Sequence, residues 1–176
     1  FDIRKDLLYC DSKDSDTRKD CIKVLNIILD CLLKWFAPIL SFTTEEINLL
    51  ISKKDTSIHL EQFPNIPKTW DNKILNKKWN KIKEIRDKCN LSIENKRSEK
   101  ILGSSLEADV LIQLSKKDFD LVSNVDFSEI CITSSAKLVQ IDTQEIIIET
   151  SKAAGSKCTL CWKIKKDKCS RQNCPV

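Results

Sequence analysis

Ile101-Leu102-Gly103-Ser104-Ser105-Leu106-Glu107-Ala108-Asp109-Val110-Leu111-Ile112-Gln113-Leu114 is where the sequence changes texture. Before Gly103, apolar residues recur at three- and four-residue steps, the period of a helix. After it they gather in short runs rich in β-branched residues, as strands require. The change predicts an α+β chain with three parts: a helical region over residues 1–100, a small α+β unit over 101–151, and a tail over 152–176.

Upstream of the change, Cys21, Val24, Leu25, Ile28, Cys31, Leu32 and Trp35 fall on one face of a helix over 14–35, which makes Cys21 and Cys31 core fillers. Pro38 interrupts or kinks the next stretch, because it lacks a backbone N–H. Thr43-Thr44-Glu45-Glu46 reads as a capping box with Thr43 as N-cap, and helix-start electrostatics account for the two glutamates better than acid–base chemistry does. Residues 52–70 form a connector with Pro64 and Pro67, in which Ile58-His59-Leu60 is read as extended. His59 is the one histidine; with no local nucleophile or carboxylate to form a triad, it is read as structural. A long helix is predicted over 71–97, with Asp71 as N-cap. Leu75, Trp79, Ile82, Ile85, Cys89 and Ile93 lie on its apolar face, and nine basic residues stand against four acidic ones elsewhere on it.

Downstream, strands are predicted at 110–114, 129–133 and 145–150, with a short helix from Lys117 to Ser123. A unit of about 50 residues is marginal alone, so it is expected to pack on the preceding helices.

The tail carries the chemistry. Cys158-Thr-Leu-Cys161-Trp162 is followed by Cys169-Ser-Arg-Gln-Asn-Cys174. Two close cysteine pairs joined by a short connector can place four thiolates around one Zn2+, giving a four-cysteine ribbon or knuckle of Cys158, Cys161, Cys169 and Cys174. With every position filled by protein, such an ion is structural. Residues 152–176 hold seven basic side chains and one acid, a charge of +6, in a chain whose net charge is +4. A basic, metal-folded tail suits a polyanionic partner. Trp162 is the candidate to stack on a nucleic-acid base, and Lys157, Lys163, Lys165, Lys166, Lys168 and Arg171 are candidates for phosphates.

Other classes are argued against. Only two glycines occur, Gly103 and Gly155, so Gly-rich phosphate loops are absent. No apolar run is long enough to span a membrane. Nine cysteines, of which Cys10, Cys21, Cys31, Cys89 and Cys131 are scattered through apolar patterns, fit reduced thiols plus a metal site rather than a secreted disulfide scaffold. The opening on Phe1 and the lack of any Met read as a piece of a longer gene product.

Four segments occur in a telling order: Phe1-Asp2-Ile3-Arg4-Lys5-Asp6 with Leu8-Tyr9-Cys10-Asp11; Trp35-Phe36-Ala37-Pro38-Ile39-Leu40-Ser41-Phe42-Thr43; Ile101-Leu102-Gly103-Ser104-Ser105-Leu106-Glu107-Ala108; and Gly155-Ser156-Lys157-Cys158 with Cys161-Trp162. The series resembles the C-terminal end of bacterial-type isoleucyl-tRNA synthetases, and the resemblance spans essentially the whole chain. It implies the later part of a helical anticodon-binding domain over 1–100, a connector and a terminal zinc module. It implies tRNA(Ile) as partner, with no duplex DNA and no membrane, in a monomeric, cytoplasmic class I ligase. That enzyme attaches isoleucine using ATP bound outside this segment: with one His and no Met, neither the His-Ile-Gly-His nor the Lys-Met-Ser-Lys-Ser type of signature can occur here. The Cys169-x4-Cys174 spacing departs from the family's usual Cys-x-x-Cys, and Thr159-Leu160 stand where a basic residue is common. Two other readings compete: the zinc finger of a DNA-repair glycosylase, which the helical first 100 residues oppose, and a protein-binding zinc ribbon.

Overall fold

A computed structural model describes residues 1–51, 56–167 and 169. The chain is α+β, in two compact units. One comprises Phe1–Ser12 and the described residues from Asn72 onward; the other is Lys13–Asp71. Packing therefore divides the chain elsewhere than at residue 100, because the long fourth helix buries its apolar face on the sheet.

The Lys13–Asp71 unit is helical. Helix α2, Asp16–Phe36, follows the short α1, Lys5–Cys10, of the other unit. Ser15 caps α2 by accepting from the Arg18 amide. The helix stops just before Pro38, as its missing N–H dictates. The Leu40 amide turns back to the Phe36 carbonyl at 2.7 Å, and α3 runs from Ser41 to Ile51. That start lies two residues ahead of the expected capping box. Thr44 is instead an interior residue whose hydroxyl donates to the Leu40 carbonyl. Glu45 accepts from the Ser57 hydroxyl at 3.0 Å and the Ile58 amide at 2.8 Å, so it holds a loop in place. Ile58-His59-Leu60 is a single 3-10 turn capped by Ser57 rather than an extended segment, and His59 is exposed, its Nε2 3.3 Å from the Ser41 carbonyl. The core here is small: Leu33, Ala37 and Ile58, with Leu29 and Ile47 against them. Cys31 is buried and Cys21 half-buried, while Val24, Ile28, Leu32 and Trp35 of the expected apolar stripe are all more than 40% exposed.

The other unit is built around strand β1, Ala108–Ser115. Ala108, Val110, Ile112 and Leu114 are all fully buried, the period-two alternation of a strand with one face in a core. Strand β2, Ser135–Ile141, pairs with β1 in parallel, and β3, Ile147–Lys152, pairs with it antiparallel, giving the order β2-β1-β3. Helix α4, Lys73–Ser98, is capped by Asn72, one residue after the expected Asp71; the Asn72 side chain accepts from the Leu75 amide at 3.0 Å. The helix lays Ile82, Ile85, Cys89 and Ile93 into the same core. The expected packing of the strand unit on a preceding helix is thus this contact. At the end of α4, Lys100 takes a positive φ of 60°, and the Ile101 amide returns to the Lys96 carbonyl at 3.0 Å, in the manner of a left-handed C-cap.

The parallel β1–β2 connection carries α5, Lys116–Val122, and α6, Phe127–Ile130. The expected strand at 129–133 is therefore a helix end and turn. Asp126 explains why: its carboxylate accepts from the amides of Ser128 and Glu129 and from the Ser128 hydroxyl, nucleating a helix that the β-branched residues after it would not choose. Ile132 comes next with φ 55°. Burial raises the Asp126 carboxyl, but those hydrogen bonds and the Lys163 charge outweigh it and leave its pKa below the usual carboxylate value.

Two consequences are measurable. Asp126→Ala should lower unfolding free energy by about 1 kcal/mol, as loss of an N-cap does. Because the folded-state pKa is depressed, the Asp126 contribution is present above the unfolded carboxylate pKa and lost as pH falls; the wild type and Asp126→Ala curves should therefore converge in acid. Ile112→Ala, in the core centre, should cost about 2–5 kcal/mol, read by denaturant titration.

Candidate metal centre and nucleic-acid interface

After β3 the chain makes a tight hairpin of β4, Ser156–Lys157, and β5, Ile164–Lys165, paired antiparallel. Gly155 permits it. Its φ is 135°, and a Cβ there would lie 2.2 Å from the Lys165 carbonyl oxygen, so only glycine lets the two strands approach.

The turn between these strands holds the first cysteine pair. The Cys158 amide donates to the Lys163 carbonyl at 2.9 Å, and the Trp162 amide donates to the Cys158 carbonyl at 3.0 Å. Closing this loop puts Trp162 at φ 62°, a strained conformation for a bulky side chain. Its indole stays 59% exposed, with the Lys157 ammonium 5.5 Å from the ring centroid.

Three of the four expected ligands converge. The sulfurs of Cys158, Cys161 and Cys169 all lie within 4.8 Å of one another. Tetrahedral coordination with bonds of about 2.3 Å needs sulfurs about 3.8 Å apart, so a small closure suffices. The thiolate donor set fits a soft or borderline ion, and the cluster could hold a metal ion. Cys174 lies outside the described residues, as do Lys168 and Arg171. Lys165 Nζ sits 3.4 Å from the Cys169 sulfur. Burial pushes the Cys161 thiol up to about 11, so an ion must displace a proton there. The scattered cysteines behave differently. Cys89 and Cys131 sit in the core, and the hydrogen bond between them, with burial, pushes the Cys89 thiol up.

The candidate phosphate-holding lysines divide. Lys157 and Lys166 are exposed. Lys163 is half-buried with Nζ 3.9 Å from Asp6, and Lys165 is committed to Cys169. Two anchors invisible in the sequence pattern hold the hairpin to the core. Ser134 accepts from the Ile164 amide at 2.6 Å and donates to the Leu106 carbonyl, while its own amide bonds to the Ala108 carbonyl. Cys10 directs its thiol at the Leu160 carbonyl at 3.8 Å.

Residues 1–112 match the family described as "Anticodon-binding domain of tRNA ligase". The chain belongs to this family. Curated relatives extend the likeness beyond the anticodon-binding domain to the cysteine tail. An isoleucine–tRNA ligase of Pelagibacter ubique is 62% identical over 173 residues, covering 98% of this chain and 19% of the relative. Those of Agrobacterium fabrum and Zymomonas mobilis are each 40% identical, covering 95% and 92% of the chain and 18% of each relative. The chain thus spans about a fifth of the length of these ligases. No helix among the described residues is long and apolar enough to cross a membrane.

Ser134→Ala should strand the Ile164 amide and cost about 1–3 kcal/mol. Faster hydrogen exchange at Cys158 and Ile164, with β1 unchanged, would locate the loss in the hairpin. Gly155→Ala should loosen the same amides more severely.

Proposed function

We propose that this chain is the anticodon-arm recognition region of an isoleucine–tRNA ligase. The observation that carries the reading is the 62% identity over 98% of the chain to a protein of that name. On this reading the partner is tRNA(Ile), and activation of isoleucine with ATP belongs to the roughly four fifths of the ligase outside this segment. The protein works in the cytoplasm as a monomer.

The bound metal is Zn2+, held by Cys158, Cys161, Cys169 and, through the wider second spacing, Cys174. Zinc supplies no reaction here; when bound, it cross-links the tail and neutralises part of the thiolate charge. The chain's own groups then do the recognition. Trp162, held exposed by its left-handed backbone, offers a stacking face to a base splayed from an RNA loop. Lys157 and Lys166 are placed for phosphates, with Lys168 and Arg171 as further candidates, and Lys163 and Lys165 join them to the extent that Asp6 and Cys169 release them. Steering by such charges is salt-dependent.

Trp162→Ala should weaken tRNA(Ile) binding by about 1–3 kcal/mol, and Trp162→Phe by less. Removal of zinc with a chelator should lower tRNA affinity and unfold the tail while leaving the β1 core intact. Equal affinity of the zinc-loaded and zinc-free protein for tRNA(Ile), by filter binding at fixed salt, would sink the tail's role.

A further inference from the structure

A cleft of about 500 Å³ opens among the described residues between α1 and the cysteine loop. Its floor is apolar: Ile3, Leu106, Ile132 and Leu160 line it. Tyr9 and Trp162 also line it, one from each wall. They are 81% and 59% exposed, an unusual outlay of aromatic surface on the two sides of one hollow. We propose that this cleft seats one unstacked RNA base, with Tyr9 as a second stacking residue beside Trp162. The inference rests on the tRNA-binding reading above and extends it to a residue far away in sequence, on a different element.

Three observations favour a nucleotide over an apolar protein segment. The size is right for one nucleoside, at the lower end of the range of ligand pockets. The aromatics stand at the mouth, where a π-face can be covered by any base, while the aliphatic residues form the floor. The carboxylates at the rim are neutralised. Each carboxylate lining the cleft has a cation: Asp2 pairs with Lys5 at 2.8 Å, Asp6 has Lys163 at 3.9 Å, and Glu129 pairs with Arg4. Lys157 lies over the Trp162 ring in addition and is exposed, so a phosphate 5′ or 3′ to the seated base finds an ammonium beside it. The base itself must then approach the part of the indole that Lys157 does not cover.

The experiment uses the full-length, zinc-loaded protein and an RNA hairpin with the sequence of the tRNA(Ile) anticodon arm. Loop nucleotides are replaced one at a time by abasic sites, and each RNA is titrated against wild type, Tyr9→Ala and Tyr9→Phe. The expected result is a loss of at least about five-fold for Tyr9→Ala, with Tyr9→Phe near wild type. The same loss should follow from one abasic position, and Tyr9→Ala should cost nothing further on that abasic RNA. That non-additivity marks direct contact, and Tyr9→Leu carries the same cycle if Tyr9→Ala folds poorly. Tight hairpin binding that is indifferent to Tyr9→Ala, or a Tyr9 effect that persists at every abasic position, would overturn the inference, the former leaving the cleft to an apolar protein segment. Failure of wild type to bind the hairpin at all would overturn the tRNA reading and the cleft assignment together.

Discussion

Strand β1 is hydrogen-bonded along both edges and buried along one face, and the C-terminal unit is positioned from it. Ala108, Val110, Ile112 and Leu114 are fully buried, so a one-residue slip would exchange core for surface at every position. With the register fixed, β2 and β3 have one place each, and α4 covers the resulting face. The constraint extends beyond the sheet. The Ala108 and Leu106 carbonyls hold Ser134, and Ser134 holds β5. The cysteine hairpin is therefore tied by hydrogen bonds to the central strand of the sheet.

This coupling explains how a small hairpin can present an exposed tryptophan in a strained backbone conformation. So short a two-stranded pairing could not hold Trp162 at φ 62° unaided. The strain is met by two hairpin hydrogen bonds, by the glycine that lets the strands close, and by Ser134. Three thiols converge beside the same turn, in a cluster that could hold a metal ion. The exposed indole and the cysteine cluster thus share one loop.

The fold was legible where pattern and burial agree. The change of period at Gly103, the helix over 73–98 and the strand at 108–115 follow from apolar spacing that the core then uses; the helix over 16–36 was legible from its period although much of its apolar stripe stays exposed. Sequence reading failed where one polar side chain outvoted the pattern. Asp126 turned the β-branched 129–133 run into a helix end, and α3 began at Ser41 instead of at the expected Thr43–Glu46 capping box, with Glu45 holding a loop. In both cases the deciding hydrogen bond depends on where the backbone has already been placed, and residue type alone cannot show that.

The sequence by itself determined the α+β class, the cysteine pairs and their basic, tryptophan-bearing context, because periodicity, ligand chemistry and charge are local properties. Only the tertiary structure decided which residues join them. It brought the Cys158, Cys161 and Cys169 sulfurs together and committed Lys165 and Lys163 to Cys169 and Asp6. It also carried Tyr9 to the cleft that Trp162 lines, from the opposite end of the chain. Such neighbours meet through the packing of a sheet, a helix and a hairpin, and no spacing rule along the chain encodes that contact.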